Sequence, residues 1–325
     1  MRVLFLSTRP DKPSYRFRVA PFLRPLAEGG WEVEAAFVPR GWWARRRLWK
    51  SLAGFDVVVV QKRLFGRLDL GSLRRRARRL VYDLDDAIMY RSDEGGTDDP
   101  RRESRFRAMV GAADLVIAGN EFLAGEVRAA GGRVEVVPTV VDTDLYRPAP
   151  ERREAGRVTI GWSGSSSTNR YLVELLEGLR GFDAGRPWRL RVVSNSRPET
   201  GFPIDYAPWS DAAEIGLLQS FDVAIMPLDD TPWSRGKCGM KLILGQAVGA
   251  PVVSSPVGVN REIVVDGETG WLVRTPEEWA DRLRRLVEDD ALRSRMGEAA
   301  RRWTVERWSV RAVLPRLRDC LASLG

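Results

Sequence analysis

The chain of 325 residues contains no histidine and only two cysteines, Cys238 and Cys320. Without histidine, an acid or base must be a carboxylate, a lysine, a tyrosine or the substrate itself. Two cysteines are too few for a disulfide framework or a cysteine-rich zinc site, and such sparse usage is typical of a reducing cytosol. No apolar run reaches the roughly 20 residues that a membrane-spanning helix requires. The sequence therefore predicts a cytoplasmic protein without a disulfide framework or a structural zinc site.

Acidic residues are also in deficit. Lysine and arginine total 52 against 44 aspartate and glutamate residues, which gives a formal net charge of +8 and a pI near 9.9. A basic excess can attract nucleic acid, anionic lipid or anionic small molecules. Diffuse arginine can equally reflect a GC-rich genome, so the charge alone does not select a partner.

Short β-branched strands alternate with helical segments along the whole chain, beginning with a strand at Arg2–Thr8. This alternation predicts parallel sheets, and the length allows two domains. The Gly-x-Gly-x-x-Gly phosphate loop of dinucleotide-binding folds does not follow the first strand. In its place stand Ser14, Tyr15, Arg16 and Arg18, of which Arg16 and Arg18 can hold a donor phosphate or an anionic acceptor. The alternative is that both arginines begin a solvated helix.

Three carboxylates, Asp83, Asp85 and Asp86, come at the end of a predicted strand, Leu80–Leu84. Ligands of open parallel sheets bind beyond the carboxyl ends of the strands. These carboxylates can bind a metal, accept a proton or contact sugar hydroxyls, and Asp85 is the leading candidate. Asp86 can instead cap a helix that starts at Ala87.

A second candidate site begins at Gly236 and Gly239, which lead into a predicted helix, Met240–Val248. Backbone N–H groups and the positive dipole end at a helix N-terminus suit phosphate, and Lys237 and Lys241 lie in or beside that first turn. The alternative is an ordinary helix–strand unit with lysines on a solvated face. A similar loop follows the strand Val158–Ser163 and contains Gly164, Ser165 and Arg170.

Tryptophans interleave with basic residues from Trp42 to Lys50. Such a segment can lie on an anionic membrane surface. It can equally be a helix that packs its aromatic side chains on the sheet and turns its arginines outward. Single-stranded nucleic acid stacked on the tryptophans is a third interpretation, but no nucleic-acid-binding signature accompanies it. We therefore expect no nucleic-acid partner.

The segment from Phe221 to Val273 resembles family 4 retaining glycosyltransferases, also called glycosyl transferases group 1. The matching positions are Gly249, Pro251, Val252, Gly258, Glu262, Asp266, Gly267 and Gly270. Gly236 and Leu244 stand where that family has two glutamates. The run from Trp233 to Lys241, Trp-Ser-Arg-Gly-Lys-Cys-Gly-x-Lys, is similar to one small subfamily.

The resemblance implies the GT-B fold, in which two Rossmann-like, doubly wound parallel-sheet domains face each other across a cleft. The implied domains are an acceptor-side domain at 1–150, a nucleotide-sugar domain at 151–305 and a last helix at 306–325 that crosses back to the first domain. Pro148–Ala155 is the expected linker. Tyr90–Arg105 is expected to be a mobile loop.

The resemblance also implies a retaining glycosyltransferase that uses no metal and no cofactor. It would move a sugar from a UDP-sugar, or from a GDP-sugar, to a hydroxyl of a sugar, lipid-linked or small-molecule acceptor. The implied catalytic residues are Asp85 and Asp86. The implied donor-binding residues are Gly164, Ser165, Arg170, Lys237, Cys238, Gly239, Met240, Lys241 and Leu244. Ser14, Tyr15, Arg16, Arg18 and Asn120 are expected on the acceptor or phosphate side.

Two other functions remain open. The missing glutamates at Gly236 and Leu244 favour a catalytically impaired protein that keeps the fold and binds a sugar nucleotide or a partner enzyme. A sugar-nucleotide epimerase is the third possibility, but such enzymes generally use histidine, which this chain lacks.

Overall fold

A computed structural model describes residues 1–91, 98–150 and 156–325. Part of the predicted loop Tyr90–Arg105 and most of the predicted linker Pro148–Ala155 lie outside these described residues. The chain forms two compact units. Unit 1 comprises Met1–Val140, Thr231–Cys238 and Val310–Gly325, and unit 2 comprises Val141–Asp230 and Gly239–Ser309. The boundaries at 150 and 305 stay predictions from the sequence.

The elements alternate as the sequence predicts. The strands are β1 (Arg2–Ser7), β2 (Glu32–Phe37), β3 (Val57–Gln61), β4 (Arg79–Leu84), β5 (Leu115–Ala118), β6 (Val134–Val136), β7 (Val158–Gly164), β8 (Trp188–Ser194), β9 (Asp205–Pro208), β10 (Val223–Met226), β11 (Val252–Ser254) and β12 (Gly270–Leu272). The helices are α1 (Pro13–Arg18), α2 (Ala20–Glu28), α3 (Trp42–Ser51), α4 (Arg67–Arg74), α5 (Pro100–Ala112), α6 (Glu121–Ala129), α7 (Asn169–Gly178), α8 (Asp211–Leu218), α9 (Pro232–Arg235), α10 (Met240–Ala247), α11 (Asn260–Ile263), α12 (Pro276–Glu288), α13 (Asp290–Trp308) and α14 (Val310–Ala322).

Each unit is built on one six-stranded parallel sheet. The strand order is β2-β1-β3-β4-β5-β6 in unit 1 and β12-β11-β10-β7-β8-β9 in unit 2. The central strand β3 is buried along its whole length, because helices cover both faces of a parallel sheet and leave its strands no solvated side. The predicted fold of two doubly wound parallel sheets is confirmed.

The last helix, α14, packs on the sheet of unit 1. Its residues Val313, Leu317 and Leu321 are buried in one cluster with Val3 and Phe5 of β1. These three side chains recur at helical spacing, so they form a single apolar face, as the sequence predicts.

Three local predictions are wrong. The predicted basic helix Leu73–Leu80 is displaced, because the buried pair Leu70 and Leu73 places α4 earlier and β4 already begins at Arg79. No helix begins at Ala87 in the described chain, where hydrogen-bonded turns follow β4 instead, so Asp86 is not a helix cap. The expected loop ends early, because Asp99 caps α5 through the amides of Arg101 and Arg102.

Candidate functional site

A cluster of two carboxylates and two lysines lies at the carboxyl ends of β3 and β4 in unit 1. Lys62 Nζ contacts the Asp86 carboxylate and lies 3.4 Å from Asp85 Oδ1. Lys237 Nζ lies 4.0 Å from Asp86 Oδ1. We call these four residues the carboxylate cluster. Ligands of open parallel sheets bind beyond the carboxyl ends of the strands, and the carboxylate cluster lies in that position.

Lys62 has a backbone φ of 42° and is the one non-glycine residue with positive φ in the described part of the chain. A non-glycine residue in this region is strained and persists only where its surroundings hold it. The Lys62 amide donates to the Asp83 carbonyl at 2.8 Å, and its ammonium is held by the carboxylates. The loop after β3 therefore fixes a cation beside Asp85 and Asp86.

The two carboxylates differ in acidity. Burial raises the pKa of Asp85, and neighbouring Asp86 adds to this effect, so the pKa stays raised despite the opposing charge of Lys62. Burial acts on Asp86 in the same direction, but Lys62 and Lys237 outweigh it and the pKa of Asp86 is lowered. A pair of carboxyl groups with separated pKa values can divide the roles of proton acceptor and fixed charge.

Asp85 also has capacity to accept a hydrogen bond. Its Oδ1 atom is buried and makes no hydrogen bond within the described residues, although Lys62 lies 3.4 Å away. Buried polar atoms are nearly always bonded, so this oxygen can accept a further hydrogen bond. A donor such as a sugar hydroxyl would satisfy this oxygen.

The segment Thr231–Cys238 completes the cluster from a distant part of the sequence. The Cys238 thiol donates to the Asp85 carbonyl at 3.2 Å, and Asn120 Nδ2 donates to the Lys237 carbonyl at 3.0 Å. Asn120 also caps α6, because its Oδ1 accepts from the Leu123 amide. Burial raises the pKa of Cys238 to about 12, so the thiol stays protonated. Lys237 and Cys238, which were predicted to bind the donor, thus lie in unit 1 beside the carboxylates.

Gly236 packs against the loop that carries Asp86. A Cβ atom at Gly236 would lie 2.4 Å from Ala87 Cβ and 2.8 Å from Ala87 N. Both distances are below any normal contact, so the position has no room for a side chain. Gly236 stands where the family motif has a glutamate. The glycine therefore permits close packing of the two backbones.

Arg18 belongs to the core of unit 1, which overturns both predictions made for it. Its guanidinium forms a buried, bidentate ion pair with Asp83 and donates to the Val137 carbonyl at 3.0 Å and to Thr139 Oγ1 at 3.2 Å. With its donors occupied by these partners, Arg18 neither binds phosphate nor lies on a solvated face.

The remaining residues of the first loop differ in their proximity to the cluster. Ser14 Oγ lies 3.4 Å from Lys62 Nζ. Tyr15 packs edge-on against Phe37, with ring centroids 5.1 Å apart, and the Arg16 guanidinium lies 5.1 Å from the centre of the Phe17 ring. Ser14 thus contacts the carboxylate cluster.

Unit 2 carries a second candidate site at the first turn of α10. Lys241 Nζ donates to Thr168 Oγ1 at 3.2 Å and lies 4.2 Å from the centre of the Trp162 ring. The aromatic face and the hydroxyl fix the position of the ammonium. Gly239, which has a φ of 65°, precedes the helix as predicted, and a Cβ atom there would lie 2.1 Å from Ile263 Cδ1. Met240 begins the helix.

The loop after β7 folds around the same threonine. Thr168 Oγ1 accepts from the Ser165 amide at 3.1 Å and donates to the Ser165 carbonyl at 3.0 Å. A Cβ atom at Gly164 would lie 2.2 Å from the Trp162 ring and 2.7 Å from Thr168 Oγ1, so only glycine fits. The loop thus packs its backbone directly beside Lys241.

Arg170 follows on α7. It donates to the Tyr171 hydroxyl at 2.9 Å and lies 3.5 Å from Asp229 Oδ2. Burial lowers the pKa of Arg170, but Tyr171 and Asp229 more than offset this effect. The guanidinium is thus held on the same side of unit 2 as the loop after β7, with its buried Nε atom making no hydrogen bond to the described residues.

The apolar face of α10 is internal. Leu244 is buried in the core, and Gln246 accepts from Thr304 Oγ1 at 2.9 Å while donating to the Ile263 carbonyl at 3.2 Å. Gln246 therefore cannot take the place of the family glutamate that Leu244 replaces.

The described residues contain no group of three or more potential metal ligands.

Sequence reasoning missed Lys62. The signal was present, because Lys62 directly follows the apolar strand β3 just as Asp85 follows β4. The rule about the carboxyl ends of parallel strands holds for this lysine as it does for the carboxylates. Its contact with Asp86 depends on a strained backbone that no sequence pattern reveals.

Part of the chain matches a known protein family. Residues 209–303 match the family model described as "Glycosyl transferases group 1". D-inositol 3-phosphate glycosyltransferase of Nocardioides sp. is 26% identical over 292 residues, which cover 76% of this chain and 62% of that protein. The chain thus spans about three fifths of the length of that curated relative.

Solved structures match over the full length. Sucrose-phosphate synthase from Thermosynechococcus elongatus has a TM-score of 0.77 and 16% identity, with 100% of this chain and 99% of that chain covered. Anabaena HepE in complex with UDP-glucose has a TM-score of 0.74 and 17% identity, with 99% and 100% covered. At this identity the likeness shows the fold. The chain therefore has the GT-B fold and is similar to the group 1 glycosyltransferases over residues 209–303.

Proposed function

We propose that the chain is a retaining, metal-independent glycosyltransferase that transfers a sugar from a UDP-sugar to an acceptor hydroxyl in the cytoplasm. The observation that carries the proposal is the fixed ammonium of Lys241 at the first turn of α10, beside the glycine-bearing loop after β7. A cation, a helix N-terminus and the backbone of the loop after β7 lie together here. This combination suits the binding of a diphosphate. HepE, which shares the fold, was solved with UDP-glucose.

In this reaction the protein has to position the two substrates and to stabilise the negative charge of the departing diphosphate. The bond between the anomeric carbon and the diphosphate oxygen breaks, and the acceptor oxygen bonds to the same face of that carbon. The acceptor proton passes to the departing phosphate. Lys241 and the N-terminus of α10 stabilise the negative charge that develops on the diphosphate. This mechanism requires no histidine.

We assign the carboxylate cluster of unit 1 to the acceptor. Asp85 Oδ1 is the buried oxygen that can accept a hydrogen bond from the acceptor hydroxyl and orient it. Lys62 pairs with Asp85 directly, and together Lys62 and Lys237 balance the two negative charges of Asp85 and Asp86. The assignment moves Lys237 and Cys238 from the donor side to the acceptor side.

Lys241→Ala is expected to weaken UDP binding by about tenfold to a hundredfold, because a charge-assisted hydrogen bond to phosphate contributes roughly 1.5–3 kcal/mol. Thermal shift with UDP, GDP, ADP and TDP, each with and without EDTA, measures the effect and identifies the base. Lys12→Ala, at an exposed lysine of unit 1, is the matched control. Equal UDP shifts for Lys241→Ala and the wild type would remove Lys241 from the site, and loss of the shift in EDTA would refute metal independence.

Asp85→Asn is expected to lower turnover by roughly a hundredfold or more while donor affinity changes little, since a positioned carboxylate typically contributes factors of that size. Because the pKa of Asp85 is raised, wild-type turnover should fall on acidification at a higher pH than an ordinary aspartate would give. The variant should lose this acidic limb. Asp11→Asn, an exposed aspartate paired with Arg9, serves as control. A variant that loses donor affinity but keeps turnover would place Asp85 on the donor side.

A second function, a sugar-nucleotide-binding protein without turnover, is favoured by one observation. Neither Gly236 nor Leu244 can contact a sugar or ribose as a glutamate would. Incubation with labelled UDP-sugars and an acceptor mixture separates the two functions. A clear thermal shift with UDP together with no transfer to any acceptor would support the binding protein.

A further inference from the structure

Two tryptophans at the start of α3 are exposed. Trp42 is 46% exposed and Trp43 is 77% exposed, with their rings stacked edge to face at 4.4 Å. By contrast, Trp49 on the same helix is 1% exposed and packs edge-on against Phe65. The helix thus anchors itself in unit 1 through its second half and presents aromatic side chains to solvent at its first turn.

A neighbouring helix adds a further apolar side chain. Arg45 Nε lies 3.2 Å from Asp69 Oδ1, and this ion pair ties α3 to the first turn of α4. Leu68, next to Asp69, is 88% exposed. Trp42, Trp43 and Leu68 are three of the five large hydrophobic side chains that the described structure exposes, and we call them the tryptophan patch.

The charge along α3 and the residues flanking it has one sign. Residues 35–55 include no aspartate or glutamate and contain five basic residues: Arg40, Arg45, Arg46, Arg47 and Lys50. All but Arg45 are exposed. The Arg46 guanidinium lies 4.9 Å from the centre of the Trp42 ring, so the cationic and aromatic groups share one surface.

We propose that the tryptophan patch and its basic surround dock this protein on the surface of an anionic lipid bilayer. Tryptophan and leucine side chains insert at the level of the headgroups, and basic side chains bind the anionic headgroups. None of the described helices is long and apolar enough to cross a bilayer, so the contact is peripheral. This inference does not depend on the proposed transfer reaction.

Charge and chemistry favour lipid over other occupants. A second copy of this chain carries the same positive surface, which would repel its partner at this patch. Nucleic acid binds extended grooves with several stacking platforms, whereas the two rings here stack on each other. An anionic bilayer offers both an apolar layer and a plane of negative charge.

The test uses the full chain in flotation with vesicles of phosphatidylcholine alone or with an equal part of phosphatidylglycerol. The wild type should bind the anionic vesicles, dissociate from them at high salt and show no binding to the neutral vesicles. Trp42→Ser/Trp43→Ser should bind at least about tenfold more weakly, because two large apolar side chains are lost. Arg46→Gln/Arg47→Gln should bind about thirtyfold more weakly, since each basic residue near the surface contributes about 1 kcal/mol.

Leu145→Ser is the control, because Leu145 is another exposed hydrophobic side chain, 53% accessible, and lies in unit 2. It should leave binding unchanged. Both double variants alter exposed residues, and an unchanged unfolding temperature verifies that they fold. Wild type that never floats with anionic vesicles overturns the proposal. Flotation of the tryptophan variant equal to that of the wild type also overturns it. The same holds if a single-stranded oligonucleotide displaces the protein from the vesicles, or if the wild type self-associates and the tryptophan variant does not.

Discussion

We expect Arg18→Met to lower the free energy of unfolding by about 3–5 kcal/mol, the usual cost of removing one partner from a buried ion pair. The substitution leaves Asp83 charged in the core without its bidentate partner. It also leaves the Val137 carbonyl and the Thr139 hydroxyl without the donor that they share. Urea unfolding followed by tryptophan fluorescence measures the change.

The double variant Arg18→Met/Asp83→Leu should recover most of the loss, because a buried ion pair replaced by apolar groups of similar volume is often neutral. Arg24→Met is the matched control. Arg24 forms an ion pair with Glu28 on the exposed face of α2, and such surface pairs contribute little. A loss of stability for Arg18→Met no larger than that of Arg24→Met would show that the guanidinium is not needed by the core.

Gly236→Ala is expected to destabilise the protein by roughly 1–3 kcal/mol through overpacking against Ala87. The backbone at Gly236 has a φ of −76°, which alanine adopts freely, so the cost comes from the contact and not from strain. Ala87→Gly in the same chain should restore part of the stability, since it removes the nearest of the opposing atoms. Thermal unfolding of the single and double variants gives the coupling.

Gly111→Ala is the control for Gly236→Ala. Gly111 lies in α5 and a Cβ atom there meets nothing within 4 Å, so this variant should be as stable as the wild type or slightly more so. If Gly236→Ala is no less stable than Gly111→Ala, the loop that carries Ala87 can move to accept the added methyl group at little cost. Gly236→Glu, which restores the glutamate of the family motif, should be worse than Gly236→Ala and should not improve donor binding, because the site has no room for it.

The sheets could be predicted from the sequence because their signals are local. Apolar β-branched runs such as Val57–Val60 specify buried parallel strands, and polar residues directly after them mark the functional edge. Asp85 was found in this way. The same reasoning could not separate Trp49, which is buried, from Trp42, which is exposed, because both lie in one amphipathic segment and only packing distinguishes them.

The assignment of residues to the two sites depended on tertiary structure. Lys237 and Gly239 are two residues apart, but the division between the units falls between Cys238 and Gly239. No spacing or composition marks that division. Arg18 was missed as a core residue for a related reason, since an arginine in a polar loop gives no sign of the buried carboxylate that will pair with it.

The three-segment composition of unit 1 affects how the protein can be made and cut. A ribosome must synthesise unit 2 before unit 1 can gain its last segment, Val310–Gly325. A truncated chain of residues 1–140 would expose the apolar surface of Val3 and Phe5 that α14 covers, and would lack the lysine that faces Asp86. Unit 1 is therefore expected to mature after unit 2 has been synthesised, and a single proteolytic cut between the units cannot release it whole.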